Sequence, residues 1–147
     1  MSNHHVEYIE ADAAMKLRIA AEWGELQARH VRVDGGFTIV ALAGTQPVGL
    51  LSVAWRELTP PIGDSTEAFI DLIEVREEFR RRSIARRMIG MAAARAKERG
   101  ASQLRAWSSA DKHAAIFMWQ TLGFGLCPAV VQAGGADVRG YFAALPV

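Results

Sequence analysis

Cysteine is nearly missing from the chain: Cys127 is the single one in 147 residues. One thiol cannot close an internal disulfide, so the fold must rest on its core, and a reducing, cytoplasmic setting is expected. Histidine is scarce as well. His4, His5, His30 and His113 have neither the spacing nor the cysteine partners of a zinc site, and no metal is expected. No uninterrupted apolar run reaches the roughly 18 residues that a membrane-spanning helix requires. The opening residues lack the basic stretch and apolar run of a secretory signal, in line with the cytoplasmic expectation. An excess of either charge is also absent. With 17 Lys and Arg against 16 Asp and Glu, no whole-protein field favours nucleic acid or an anionic membrane, and any basic function must be local.

What is present suits one globular unit. Half of the residues (50%) are hydrophobic and 22% are charged, which is a globular rather than a disordered composition. The length is enough to bury a core, and no repeat or linker interrupts it, so residues 1–147 are expected to form a single domain.

Periodicity orders the elements. His4 to Ile9 reads as a short strand. Asp12 is a candidate N-cap for a helical region with apolar positions at Met15, Ile19, Trp23 and Leu26 and with His30 in step with them; Gly24 inside it leaves open whether this is one helix or two. Phe37 to Ala43 and Val48 to Trp55 are β-branched and apolar, and Gly44 to Pro47 between them supplies turn chemistry, giving an antiparallel hairpin. Leu58 to Thr66 holds Pro60, Pro61, Gly63 and Asp64 and reads as an irregular loop; Glu67 to Val75 follows as a strand.

Ile84 to Arg99 carries apolar residues at 84, 85, 88, 89, 92 and 96, the stripe of a helix packed on a sheet, with Gly100 as its stop. Leu104 to Trp107 is a short strand. Ser109 or Asp111 can cap a helix carrying Ala115, Ile116, Trp119 and Leu122 that ends at Gly123. Val130-Val131 and Val138 to Leu145 close the chain as strands around Gly134-Gly135. The order is strand, helix, three strands, helix, strand, helix, two strands, which makes a mixed α/β sheet with helices against its faces.

The densest chemical signal runs from Val75 to Ile89, a strand passing through a basic loop into a helix. The first amides of a helix lack intrahelical partners and carry about half a positive charge together, so such a junction can hold a diphosphate. Arg80, Arg81, Arg82, Arg86 and Arg87 add charge. The alternative is a solvated helix start whose arginines pair with Glu74, Glu77, Glu78 and Glu98.

These residues resemble the acyl-CoA-binding motif of the GNAT superfamily: Arg or Gln, two residues, Gly, one residue, then Gly or Ala. Here it reads Arg80-x-x-Ser83-x-Ala85, after a strand ending in Val75 and before a helix. Downstream, Ala114 to Phe124 is similar to the family's second helix and its Leu-Gly-Phe ending. The resemblance covers about Val6 to Leu145. It implies a mixed, mainly antiparallel central sheet splayed at the cofactor strand, with helices on both faces. It also implies acetyl-CoA or a related acyl-CoA as donor, and an amine acceptor that attacks the thioester directly in a ternary complex. Main-chain groups of Ile73 and Val75 would bond the pantetheine arm. Amides of Arg80, Arg81, Arg82, Ser83, Ile84, Ala85 and Arg86 would bind the pyrophosphate, and Lys112, Ala115 and Trp119 belong to the cofactor-facing second helix. A homodimer paired through the C-terminal strands fits the resemblance.

The departures are Ser83 where glycine is usual, Lys112 where asparagine is common, and Trp119 where a tyrosine often protonates the leaving thiolate; Trp119 reads as packing against the cofactor arm or, at least equally, as a core aromatic. They motivate an alternative, a protein that binds acyl-CoA without transferring the acyl group. For the base, Asp71 ranks first and Glu67 second, because residues four apart in a strand share a face. Each could equally sit in a structural ion pair. Glu74 falls on the opposite face, and His113 reads as a surface residue. Trp23, His30, Trp55 and the Pro60-Pro61 loop are candidates for the acceptor side, with a core role for Trp23 and a strand-face role for Trp55 as the alternatives. Cys127, before Pro128, is expected to be a small buried thiol. A nucleic-acid-binding role for residues 80–87 is disfavoured by the balanced net charge and the lack of an aromatic platform.

Overall fold

The computed structural model describes residues 5–59 and 65–147. In chain order these form β1 (Val6–Glu10), α1 (Ala13–Glu22), α2 (Glu25–Arg29), β2 (Gly36–Ala43), β3 (Gln46–Glu57), β4 (Thr66–Val75), a 3-10 turn (Glu77–Phe79), α3 (Ile84–Arg99), β5 (Gln103–Ser109), α4 (His113–Thr121), β6 (Gly125–Ala133) and β7 (Ala136–Pro146). Asp12 caps α1, its carboxylate accepting from the Met15 amide at 2.8 Å. The helical region is two helices, and the break falls at Gly24. Gly100 stops α3 in the left-handed conformation, φ 86°, as a residue without Cβ can.

The seven strands make one sheet, ordered β1-β2-β3-β4-β5-β7-β6. Every neighbouring pair is antiparallel except β4 and β5. That parallel pair needs a crossover, which α3 supplies. β4 and β5 meet only at Ala68↔Leu104 and Phe69↔Arg105. Past Phe69 they part, so the sheet opens as a V between Ile70–Val75 and Ala106–Ser109.

Helices cover both faces. On one, α3 buries Ile84, Met88, Ile89, Ala92 and Ala96 against Leu51, Val53, Ala68, Ile70, Leu104 and Ala106; full burial of each large side chain contributes roughly 1.5–3 kcal/mol. Gly49 lets α3 approach, since a Cβ there would stand 3.0 Å from Ile84 Cγ2. On the other, Met15, Ile19, Ala28 and Val31 pack on Val40, Leu42 and Leu50. None of the helices in the described residues is long and apolar enough to cross a membrane.

Two expectations are corrected here. In the β3–β4 register Ser52 faces Leu72 and Val53 faces Ile70, so Asp71 is an extra residue in a bulge. The bulge reverses the alternation beyond it. Leu72 packs with the α1–α2 core, and Glu74, two residues on, accepts from Gln27 Nε2 of α2 at 3.3 Å. Glu74 therefore shares the α1–α2 face rather than opposing Asp71. Cys127 is exposed, not buried, because β6 is the outermost strand and only β7 pairs with it.

Candidate active site

The open mouth of the V leads into a cavity of about 680 Å³. Ile73, Glu74 and Val75 of β4 form one wall, the loop and α3 start from Phe79 to Arg86 form its end, and Ala114, Ala115, Phe117, Met118, Thr121 and Leu122 of α4 form the other wall. Nine residues expected from the two matches meet here: Ile73, Val75, Arg80, Arg81, Ser83, Ile84, Ala85, Arg86 and, from the second helix, Ala115. Three do not border it. Arg82 is exposed, its guanidinium 5.1 Å from the Phe79 ring. Lys112 is exposed just before α4. Trp119 is buried in the core, its indole N–H donating to Ser108 Oγ at 3.0 Å and its ring 4.8 Å from that of Phe124.

The loop is built for anions. Arg81 and Ser83 both adopt left-handed backbone, φ 64° and 62°, a conformation that costs a residue with a Cβ roughly 1–2 kcal/mol. The turn brings the chain into α3 with no side chain capping its N-terminus, leaving the first amides of the helix free for a ligand. Arg80 braces the turn, with Nε donating to the Val75 carbonyl at 2.9 Å. Arg86 spans the cavity end, Nη2 donating to the Thr121 carbonyl at 3.0 Å. Among the described residues, no ion pair joins the arginines of this loop to Glu74, Glu77, Glu78 or Glu98. Their positive charge is not cancelled by those carboxylates.

The other face of the V holds the two candidate carboxylates. Asp71, in the bulge, pairs with Arg32 Nε and borders a second cavity of about 450 Å³ with Lys16, His30, Arg32 and Asp34. His30, expected on the acceptor side, lies there. Glu67 is 1% exposed and has both oxygens occupied, accepting from Arg105 Nη2 at 2.6 Å and from Gln103 Nε2 at 3.0 Å. Trp55 instead packs on the α3 core, 5.3 Å from Phe37. Trp23 packs beside the α1–α2 core under the Arg76 guanidinium, 4.5 Å away. Pro60 and Pro61 lie outside the described residues.

Sequence reasoning missed the α4 wall residues Phe117 and Met118, and it missed the arginines Arg32 and Arg105. Arg105 left a signal. It is the one charged residue in the otherwise apolar or polar strand β5, and a charge at such a position implies a partner.

A parted sheet opening onto an uncapped helix start, with cationic walls at that end, has the shape and charge to take an elongated ligand ending in phosphates. The family model "Acetyltransferase (GNAT) family" matches residues 4–124, and the chain belongs to that family. Its fold recurs in NAA60 of Arabidopsis thaliana, solved with acetyl-CoA and with a bisubstrate analogue; for the latter structure the identity is 14%, the coverage 97% of this chain and 98% of that one, and the TM-score 0.74. It recurs in the ribosomal-protein-S18-alanine N-acetyltransferase of Escherichia coli, at 14% identity, 97% and 94% coverage and TM-score 0.69. A ribosomal-protein-alanine N-acetyltransferase of Brucella melitensis shares 22% identity over 96% and 99% of the two chains, with TM-score 0.68. Compared with the curated proteins, the sequence matches none of them.

Proposed function

We propose that residues 1–147 act as one N-acetyltransferase domain that moves an acetyl group from acetyl-CoA to a primary amine by direct attack. The carrying observation is the parting of β4 from β5 at Phe69, opening onto the Arg80–Arg86 loop. Past Phe69, β4 has no sheet partner on the β5 side, so main-chain groups of Ile73 and Val75 are available to bond a pantetheine arm lying in the V as a further strand would. The amides of Ser83, Ile84, Ala85 and Arg86 then receive the pyrophosphate, with Arg81 adding charge. The NAA60 structure with acetyl-CoA supports this donor.

The acceptor enters from the α1–α2 face. Its nitrogen attacks the thioester carbonyl, the C–N bond forms, the C–S bond breaks, and CoA leaves as the thiolate. Asp71 takes the proton from the attacking amine, directly or through a water, and Arg32 holds its carboxylate in place. Glu67, with both oxygens occupied, positions Arg105 instead. Trp119 carries no acidic proton and is engaged with Ser108. Water therefore protonates the thiolate, a modest base given a thiol pKa of about 8.5. The enzyme's main contribution is placing the two substrates together and away from solvent. A cytoplasmic setting suits both this donor and the exposed Cys127 thiol, and the free edge of β6 suits pairing with a second copy.

The test is the thermal midpoint with and without millimolar acetyl-CoA, followed by thiol release in the presence of amines. A ligand at about 100 times its dissociation constant stabilises by roughly 2.7 kcal/mol, an upward shift of several degrees. No shift with acetyl-CoA, longer acyl-CoAs or CoA overturns the proposal. A shift without thiol release for any amine favours a protein that binds acyl-CoA without transferring the acyl group.

A further inference from the structure

On the face of the sheet away from α3, the point where β4 and β5 part is floored by arginine and aromatic side chains. Ala68, Leu104, Ala106 and Ala143 face the α3 core, so their neighbours Phe69, Arg105, Trp107 and Phe142 project the other way. Trp107 and Phe142 lie 4.9 Å apart. The Arg105 guanidinium is 4.6 Å from the Phe142 ring and 5.6 Å from that of Phe69. Arg56 comes from β3 to the same ring, its Cζ 3.6 Å from the Phe69 centroid. Close approach of strand and indole is built in. A Cβ on Gly140 would stand 2.7 Å from the Trp107 ring. Helices α1 and α2 cover the other end of this face, over Val40, Leu42 and Leu50.

The charges on the floor do not balance. Glu67 neutralises Arg105 and is spent in doing so. Arg56 is exposed and has no carboxylate partner among the described residues, although Glu67 is its cross-strand neighbour. A guanidinium lying on a ring uses its face and keeps the N–H groups around its edge. Arg105 likewise donates only from Nη2, and its buried Nε has no partner in the described structure. The open fork of Arg56 and the remaining donors of Arg105 thus meet at one phenyl ring, in a partly apolar setting that strengthens their pull on an anion.

We infer, resting on the acetyltransferase reading above, that the acceptor is an amine that also carries a carboxylate, of the α-amino-acid type with an apolar side chain. The carboxylate binds Arg56 and Arg105, and the side chain lies against Trp107 and Phe142. Phe69 is the last residue of β4 that pairs with β5, one residue's rise, about 3.3 Å, from where the two strands open. The amine and the carboxylate must then be separated by only a few bonds, as in an amino acid. A polyamine, with positive charge alone, meets uncompensated arginine here.

Thiol release from acetyl-CoA should be measured with matched series: phenylalanine, leucine and methionine, their amides, and the decarboxylated amines. The acids should have kcat/KM about tenfold or more above their amides, the value of a charge-assisted contact. Arg56→Gln should cut the acids' kcat/KM about tenfold and the amides' value by far less, with only the small fall in thermal midpoint that loss of its stacking on Phe69 implies. Arg105→Lys keeps Glu67 paired and removes the fork, and should act in the same sense. Amides or decarboxylated amines that match the acids overturn the inference and leave the acetyltransferase standing, as does a loss in Arg56→Gln that is equal for acids and amides. Acetyl-CoA binding with no turnover in any series also overturns it. Absence of an acetyl-CoA shift in the thermal midpoint overturns the acetyltransferase reading, and the acceptor inference falls with it.

Discussion

Trp119 and Ser108 share a hydrogen bond of 3.0 Å inside the core, between α4 and β5. The indole thus serves packing rather than the cavity. Trp119→Phe strands the Ser108 hydroxyl, which is 6% exposed, and should destabilise the fold by about 1–2 kcal/mol. The dissociation constant for acetyl-CoA should stay within a factor of two or so. Calorimetric titration beside a denaturation curve separates the two, and a large loss of affinity would mean that Trp119 touches the cofactor.

Ser83→Gly removes a Cβ from a left-handed residue at the entrance to α3. The variant should be more stable by about 1 kcal/mol, a rise of roughly 3 °C in thermal midpoint. It should also bind acetyl-CoA more tightly, because the crowding beside the first helix amides is gone. A lower midpoint would show that the serine side chain contributes more than its backbone strain costs.

Asp71→Asn and Glu67→Gln should separate catalysis from positioning. The first should lower kcat about 10²-fold or more with the acetyl-CoA KM unchanged, as loss of a base does. The second leaves Arg105 without its buried partner and should cost about 2 kcal/mol of stability, with the acceptor KM raised. The reverse pattern in steady-state kinetics would exchange the two roles.

Burial raises the Tyr8 phenol above its usual value, with Arg87 opposing in part. A raised pKa in the folded state means that its contribution is present below the unfolded value near 10 and is lost as pH climbs toward the folded value. Urea denaturation from pH 9 to 11 should show wild-type stability falling more steeply than that of Tyr8→Phe. Parallel curves would mean that Tyr8 titrates alike in both states.

Much of the site was legible because its parts are local. The stripe beginning at Ile84 and the stop at Gly100 gave α3 its observed bounds. The matches around Arg80 and along α4 together put nine expected residues on one cavity. What alternation could not reveal was an inserted residue: Asp71 looks like any strand position until its opposite number is known to be missing. Pro128 concealed most of β6, since proline argues against a strand interior; it is accommodated because β6 is an edge. The pairing of Glu67 with Arg105 joins residues 38 apart in sequence, and only the parallel contact of β4 with β5 makes them neighbours.

That parallel contact also bears on how the chain assembles. Among the described residues, two register pairs and the neighbouring bond from the Ser102 amide to the Thr66 carbonyl tie β1–β4 to β5–β7 through the sheet, while each group is internally knit by antiparallel ladders between strands mostly close in sequence. The two groups have the makings of separate cooperative units, each able to close its short loops early, with α3 and the seam at Phe69 docking last. Native-state hydrogen exchange would then find the amides of Ala68, Phe69, Leu104 and Arg105 opening together, at a lower free energy than the ladder between β2 and β3. A ligand bridging the seam would slow that opening, so the cavity proposed for the cofactor is also where the molecule can be locked shut.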